Sequence, residues 1–431
     1  MKNHRTRITV LLVLAIGLPP AYAAAAHGAD SPNTATAADR AITHAERRLA
    51  TVKDDPTAKK SLAAAFLQKV RESADPTYYA KVDAILTTLG GPTSKDPEVL
   101  LLEGTLLLAR HDFAKALVVG ERVVKALPAS ASAQGIVVDA SNELGRYDEA
   151  LKATQRMLNE RPGLASLSRA SYARELRGDQ SGAILAMQQA VTAGPGSGEN
   201  RAYVTTLLGN LLLSTGDVTG ASSTYGNALA AFPGFAAALA GQAAVLAARG
   251  RPAEAASTMV RVVETQPLMQ YAIAEGEYFR AAGNQPEADA AFQLVDAIMA
   301  LYKANGVDID LEVAVFKADR KPAAGLGDAT RRAVQARPSV TGHDAYAWVL
   351  HRLGRHREAA AEIAKVVAVG DRDPVFRYHA AAIAAAVGNR AQAIEQFNIV
   401  VGSNPRAVGI DGGELQKLAT SLGLTVPPPK P

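Results

Sequence analysis

The chain contains no cysteine among its 431 residues. This absence excludes disulfide bonds, a thiol nucleophile and the attachment of a lipid to an N-terminal cysteine. Aromatic residues are also few, at 5% of the chain, although 48% of the residues are hydrophobic. Much of that hydrophobic content is alanine, which favours closely packed helices over a sheet sandwich rich in Val, Ile, Tyr and Phe. The composition therefore predicts an all-α fold.

Long hydrophobic runs are also missing, with one short exception near the N-terminus. A basic segment at residues 1–7 precedes eleven residues, ITVLLVLAIGL, and Pro19 and Pro20 follow them. A membrane-spanning helix needs about 20 apolar residues, so this run is too short to be an anchor. The run and the small residues Ala21 and Ala23 predict a signal peptide over residues 1–23, followed by a flexible lead-in over 24–40. We therefore expect a periplasmic or secreted protein with no integral membrane segment in the mature chain.

An excess of one charge is missing as well. The full chain has 46 basic and 42 acidic residues. Removal of Lys2, Arg5 and Arg7 with the signal peptide leaves 43 basic residues, so the mature chain is almost balanced. This balance gives no electrostatic footprint for nucleic acid or for an anionic membrane surface.

A repeat with a period near 34 residues occupies most of the chain. Residues 143–163, ELGRYDEALKATQRMLNERPG, contain Gly145, Ala150 and Pro162. The same marks recur, in whole or in part, as Gly178, Ala183 and Pro195; Gly216, Ala221 and Pro233; Gly250, Ala255 and Pro267; Gly283 and Ala288; Gly354 and Ala359; and Gly388, Ala393 and Pro405. A regular period of this length is typical of a solenoid.

Each mark has a physical reason. We expect the glycine to end a first helix, because the residue after a helix often needs a positive φ. The alanine predicts a close crossing between two helices, where a larger side chain would push them apart. We expect the proline to stop the second helix and to begin the next one. Each unit is thus predicted to be a helical hairpin that buries its apolar side against the neighbouring units.

These units resemble the tetratricopeptide repeat family. Residues 207–233, LLGNLLLSTGDVTGASSTYGNALAAFP, carry the whole pattern, and GRYDEAL, GRHREAA and HDFAKAL match its central turn. In the last of these, His111 stands where glycine is usual. The resemblance implies a right-handed superhelical solenoid of antiparallel helix pairs, with about nine or ten repeats over residues 57–407.

The pattern also predicts the organisation of the chain. The segments are a degenerate N-terminal repeat over 41–96, a regular array over 97–300, an irregular repeat over 301–339, a C-terminal pair over 340–407, and a capping helix with an extended tail over 408–431. In the irregular region we expect one long second helix to reach about residue 304, where Gly306 breaks it, and two further helices closed by Pro338. Residues 194–200, GPGSGEN, predict an enlarged loop between repeats.

No motif for catalysis, a cofactor or a metal emerges. The glycine-rich loop lacks the spacing of a phosphate-binding loop. His343, His351 and His356 do not form a metal-binding motif, so we interpret them as surface and groove residues. Asp139 and Glu143 lie one helical turn apart, and we interpret them as a solvated acidic stripe. We therefore predict a protein that is not an enzyme and has no cofactor.

The resemblance implies a concave groove lined by the first helix of each repeat. Repeat positions that face this groove predict a partner-binding surface formed by Asp139, Asn142, Glu143, Tyr172, Glu175, Tyr203, Thr206, Asn210, Glu277, Arg280, Asp344, Trp348, His351, Arg352 and Tyr378. In the unit that begins at Ala236, the same positions predict a smooth apolar wall formed by Ala237, Ala240, Ala244, Ala247 and Ala248. Trp348 is either a ligand contact or a core residue, since buried indoles are common. The pattern that grips a terminal carboxylate in well-known family members is missing.

Three functional hypotheses follow from these features. The first is a non-catalytic scaffold that binds a protein or peptide partner in its concave groove. The second is a structural subunit of a cell-envelope assembly or export complex, which would use several faces. The third is an enzyme with an unrecognised site, which a buried cluster of titratable groups in a closed pocket would favour.

Overall fold

The computed structural model describes residues 35–193, 198–320, 322–408 and 413–426. Across these ranges the chain forms 22 α-helices and no β-strand, which confirms the all-α fold class. The helices are α1 (Ala37–Thr51), α2 (Pro56–Ser73), α3 (Thr77–Thr88), α4 (Pro97–Ala109), α5 (Phe113–Ala126), α6 (Ala131–Glu143), α7 (Tyr147–Glu160), α8 (Leu164–Glu175), α9 (Gln180–Thr192), α10 (Gly198–Ser214), α11 (Val218–Ala231), α12 (Ala236–Ala248), α13 (Pro252–Thr265), α14 (Met269–Ala281), α15 (Gln285–Ala304), α16 (Asp310–Arg320), α17 (Ala324–Ala336), α18 (Val340–Arg352), α19 (His356–Val369), α20 (Pro374–Ala386), α21 (Arg390–Gly402) and α22 (Gly413–Ser421).

Consecutive helices pair and stack along the chain. From α4 to α15 and again from α16 to α21, each first helix packs on the second helix of its own repeat, and each second helix packs on the first helix of the next. Several neighbouring first helices also contact one another directly, such as α10 with α12 and α16 with α18. Such nearest-neighbour packing of helical hairpins makes a solenoid. Helices α1, α2 and α3 precede this array, and α2 also packs against α4.

The glycine and alanine marks have the structural roles that the sequence predicts. The turn glycines have positive φ angles, for example +68° at Gly145 and +76° at Gly250. His111, which replaces glycine, adopts a φ of +62°. The repeat alanines are buried where helices cross, with Ala221 and Ala255 both 0% exposed. Because these features depend on local geometry, they are readable from the sequence.

The role predicted for the prolines is only half right. Pro162, Pro233 and Pro338 lie after the end of a second helix, but the next helix begins two or three residues later. In the described part of the chain, proline starts a helix at other places, such as Pro97 in α4 and Pro374 in α20. At these three positions the proline therefore follows one helix without starting the next.

The segment bounds differ from expectation at two places. The lead-in was expected to extend to residue 40, but α1 begins at Ala37 because Thr36 forms a capping box with Asp39. The enlarged loop was expected to extend to residue 200, but α10 already begins at Gly198. In the irregular region, α15 ends at Ala304 and Gly306 follows with a φ of +73°. The signal peptide, residues 24–34, the loop residues 194–197 and the tail from 427 lie outside the described residues.

The second half of the solenoid packs back onto the first half. One hydrophobic core contains side chains of α2, α3 and α4 together with side chains of α14, α15 and α16. Another core contains Leu176, at the end of α8, with residues of α16 to α20. The solenoid therefore closes on itself and is not an open spiral in this region.

Three successive turns mediate this closure. The Nδ1 atom of His111 lies 2.5 Å from the carbonyl oxygen of Asp308. A Cβ atom added at Gly145 would lie 2.5 Å from the carbonyl oxygen of Pro338, and one at Gly178 would lie 2.7 Å from the carbonyl oxygen of Gly370. We call these pairs, His111–Asp308, Gly145–Pro338 and Gly178–Gly370, the closure contacts.

The described helices include none that is long and apolar enough to cross a membrane.

Candidate partner-binding surface

The residues predicted to line a groove are all at least partly buried. Those with less than a tenth of their surface exposed are Asp139, Asn142, Glu277, Asp344, Trp348 and Tyr378. Those of intermediate exposure are Glu143, Tyr172, Glu175, Tyr203, Asn210, Arg280, His351 and Arg352, while Thr206 is buried. The inner face of the solenoid is therefore largely occupied by contacts of the chain with itself, and binding of a partner by these residues stays a prediction.

Asp139 belongs to a buried ion pair with Arg169. The Nε and Nη2 atoms of Arg169 donate to the two carboxylate oxygens of Asp139, at 2.9 and 2.6 Å, and Arg169 is 1% exposed. Gly135 makes room for this guanidinium, since a Cβ there would lie 3.0 Å from Nη2. Burial raises the pKa of Asp139 to about 6, although Arg169 opposes that rise. The interpretation of Asp139 as part of a solvated stripe is therefore wrong.

Glu143 takes part in a second ion pair, which joins the two halves of the solenoid. Arg337 donates from Nε to Glu143 at 2.7 Å and from Nη1 to Glu312 at 2.6 Å. Its guanidinium also lies 5.0 Å from the ring centre of Phe113. Glu143 is thus not solvated either, and the interpretation as a stripe fails for both residues. Sequence reasoning missed Arg337, because it lies in the repeat that lacks the usual marks.

The charges of Glu143, Glu312 and Arg337 stabilise one another. Burial acts to raise the pKa of Glu312, but Arg337 and His111 outweigh it, and the net pKa lies below the ordinary value. Burial acts to lower the pKa of Arg337, but Glu143 and Glu312 outweigh it and raise that pKa. His111, whose Nδ1 lies 3.8 Å from Glu312, also belongs to the closure contacts. The group therefore holds one cation between two carboxylates beside the closure contacts.

Trp348 is a core residue. Its indole is 3% exposed, and Nε1 donates to Asp319 at 2.7 Å. The rings of His379 and His351 stack against it, with centroid distances of 4.2 and 5.0 Å. Of the two alternatives for Trp348, the structure therefore supports packing in the core, with Tyr378 in the same cluster.

The neighbouring histidines are engaged with carboxylates. The Nδ1 atom of His379 lies 2.7 Å from Asp344, and both residues are buried. His343 lies 2.8 Å from Glu362 at the partly exposed edge of α18. Among the described residues, no three His, Asp or Glu side chains are grouped as the ligands of a metal ion would be. His379 and Asp319 were missed by sequence reasoning, because the pairs they form span 35 and 29 residues.

Three arginines, on α14, α16 and α18, form further contacts near the surroundings of Trp348. Arg280 is bonded to the buried Glu277 one turn away. Arg320 packs its guanidinium 3.4 Å from the ring centre of Phe292, and burial lowers its pKa. Arg352 lies 3.6 Å from Asp319 and is partly exposed. These arginines reach the surface from the ends of three successive first helices.

The tyrosines of α8 and α10 also face inward. Tyr172 packs into the core that α16 to α20 share with the end of α8, and Tyr203 packs into a core between α9 and α10. Asn210 accepts a hydrogen bond of 2.7 Å from the hydroxyl group of Tyr225. These side chains shape the inner face by filling it.

The alanine-rich helix α12 carries the predicted smooth wall. Ala237, Ala240 and Ala244 are partly exposed on it, whereas Ala247 and Ala248 are buried. The short 3-10 turn Pro405–Val408, which follows α21, lies against this helix. Three of the five alanines of the predicted wall are thus partly exposed, a short segment of this chain packs against the same helix, and binding of a partner there stays a prediction.

Comparison with known proteins identifies the repeat. Residues 101–165 and 206–269, which run from α4 to the start of α8 and from α10 to the start of α14, match the family model of the tetratricopeptide repeat. No curated protein matches the sequence.

Several solved structures are similar in arrangement. A tetratricopeptide repeat protein from Parabacteroides merdae is 14% identical, with a TM-score of 0.39 over 62% of this chain and 99% of that one. The human IFIT1 dimer with PPP-AAAA is 15% identical, with a TM-score of 0.46 over 86% of this chain and 91% of that one. The APC/C hetero-tetramer Cut9–Hcn1 is 12% identical, with a TM-score of 0.38 over 88% of this chain and 92% of that one.

Proposed function

We propose that this tetratricopeptide repeat solenoid is an exported, non-catalytic scaffold that holds a short segment of a protein partner against helix α12. Proteins built from these repeats are generally interaction scaffolds without catalytic activity, and two segments of the chain match the repeat model. The export part of the proposal rests on the signal-peptide pattern of residues 1–23.

One observation carries the choice of surface. The turn Pro405–Val408 lies against α12, so this helix already contacts a short, irregular piece of polypeptide. Small side chains at Ala237, Ala240 and Ala244 allow a backbone to approach closely and leave apolar surface for a partner. The buried ion pairs of α6, α8 and α18, by contrast, are committed to contacts within the chain.

Site-specific cross-linking tests the proposal. A photoreactive benzoylphenylalanine at Ala244 should form adducts with a partner protein in the envelope fraction. Ala240, one turn earlier on the same face, offers the blocking variant: Ala240→Arg should abolish those adducts, and the small Ala240→Ser should retain them. Circular dichroism of both variants establishes that the helices are intact.

A control position distinguishes the alternatives. Gln189 is exposed on the second helix α9 and lies outside the proposed wall. Adducts from Ala244 alone support a scaffold with one binding face. Equal adducts from Gln189 would instead support a structural subunit that uses several faces, and adducts that persist in Ala240→Arg would refute the assignment to α12.

A further inference from the structure

The third closure contact brings carboxylates from both halves of the solenoid together. Glu175 is in the last turn of α8, three residues before Gly178, and Asp371 and Asp373 flank the connection between α19 and α20, directly after Gly370. The backbones meet closely here, since a Cβ atom added at Gly370 would lie 3.2 Å from the carbonyl group of Arg177. Closure of the superhelix therefore forces three carboxyl groups into one partly buried space.

Other titratable and charged groups interact electrostatically with these carboxyl groups or with their direct neighbours. They are Tyr172 on α8, Glu143 and Tyr147 on α6 and α7, Asp344 on α18, Arg377 on α20, and Arg372 in the connecting loop. Glu143 is bound to Arg337, and Asp344 is bound to His379. Those two carboxylates therefore have partners of their own, while Arg377 is the cation that acts on Asp371 and Asp373.

The hydrogen bonds of Arg377 go to neutral oxygens. Its Nε donates to the backbone carbonyl of Asp371 at 2.6 Å, and its Nη1 donates to the amide oxygen of Gln396 at 2.8 Å. Asp373 accepts from the backbone N–H groups of Val375 and Phe376, at 2.8 and 3.2 Å, as the cap of α20. The buried guanidinium of Arg377, with the exposed Arg372 at the rim, is too little to balance three ionised carboxyl groups in a buried site.

The protonation of the cluster follows from this imbalance. Burial raises the pKa of Asp371 to about 7 and that of Asp373 to about 6, and their mutual repulsion adds to the rise for Asp371. Burial, followed by repulsion from Asp371 and Asp373, raises the pKa of Glu175 well above its ordinary value. Carboxyl groups exposed to water have a pKa of about 4. The closed contact therefore binds more protons than an open one, and its stability falls as the pH rises from about 4 through about 7.

We propose that Glu175, Asp371 and Asp373 form a proton-operated latch, which holds the two halves of the superhelical turn together at Gly178–Gly370 when protonated and releases them when ionised. Release would uncover the inner side of α8, including Tyr172 and Leu176, which the closed form covers with α16 to α20. The latch is a property of the closure itself and does not depend on the proposed partner.

Distance measurement across the contact tests the latch. Because the chain has no cysteine, Ser181→Cys on α9 and Ala368→Cys on α19 would carry the only two thiols for nitroxide spin labels. Both positions are exposed. Double electron–electron resonance should show a single short distance at pH 5 and a growing long-distance population towards pH 8.5. For each proton released on opening, the ratio of open to closed molecules should rise about tenfold per pH unit.

Matched variants provide the controls. The triple variant Glu175→Gln, Asp371→Asn and Asp373→Asn keeps the shapes and the helix cap but cannot ionise, so it should show the short distance at both pH values. The label pair Ser181→Cys and Gln155→Cys lies within one half, on α9 and α7, and should not respond to pH. Equal distances at both pH values in the natural background would overturn the latch. So would a pH response that persists in the triple variant, or a long-distance population that appears only with loss of the helical circular dichroism signal.

Discussion

Two glycines that look equivalent in the repeat pattern should respond very differently to the same substitution. Gly145 and Gly250 both end a first helix, with φ angles of +68° and +76°. A Cβ atom at Gly250 would meet nothing within 4 Å, whereas one at Gly145 would lie 2.5 Å from the carbonyl oxygen of Pro338. Replacement of each glycine by alanine therefore separates the backbone requirement of the turn from the packing requirement of the closure contacts.

The magnitudes follow from these two environments. A left-handed conformation costs a residue with a side chain about 1–2 kcal/mol, and a less flexible unfolded chain returns about 0.4–1 kcal/mol of that cost. Gly250→Ala should thus lower the free energy of unfolding by about 1 kcal/mol. Gly145→Ala should lose a further 1–3 kcal/mol or so, because the contact atom is backbone and cannot rotate away.

Urea denaturation followed by circular dichroism measures the free energy of unfolding of both variants. The backbone cost is common to both, so the difference between their two losses reports the packing cost alone. Gly178→Ala and Gly283→Ala form a second matched pair, with φ angles of +75° and +82° and with a contact of 2.7 Å only at Gly178. Equal losses within about 0.5 kcal/mol in both pairs would refute the closure contacts, because surface changes away from packed features typically stay within that range.

Four other outcomes are expected. Arg337→Ala should lower the free energy of unfolding by about 3–5 kcal/mol, because Glu143 and Glu312 would lose their shared cation; a loss below about 1 kcal/mol in urea denaturation would contradict this. Trp348→Phe should cost about 1–3 kcal/mol, because Asp319 would lose the indole N–H, and an unchanged melting curve would count against that bond. Ala255→Leu should cost about 1–3 kcal/mol by overpacking a helix crossing, whereas a neutral result would refute the crossing. N-terminal sequencing of the mature protein should find Ala24 or a residue close to it, and an intact Met1 on exported protein would exclude cleavage.

The parts of the fold that could be predicted are those with a local cause. Gly216 and Ala221 indicate a hairpin because a positive φ and a close crossing restrict which residues fit at those positions. The end of α15 near residue 304 was readable from Gly306 for the same reason. Such positions carry their structural requirement in their own residue type.

The closure and its ion pairs could not be predicted in this way. Gly145 has the same sequence signature as Gly250, although only Gly145 meets another part of the chain. Arg337 is separated by 194 residues from its partner Glu143. Repeat register alone listed Trp348 among the groove residues. Its packing against the neighbouring helices α16 and α20 to α22, together with its hydrogen bond to Asp319, makes it a core residue. Local pattern therefore fixes the hairpins but not the contacts between distant ones.

The closure contacts also determine how the molecule should fold and unfold. In an open solenoid each unit touches only its neighbours, so folding spreads like a zipper and end units can be lost singly. Here the closure contacts join residues 197, 193 and 192 positions apart. Forming these contacts closes very long loops, which slows folding. It also makes the stability of each unit depend on units that are distant in sequence. The array from α4 to α20 should therefore open cooperatively, and removal of its C-terminal units should weaken α6 and α8, which are far away in sequence.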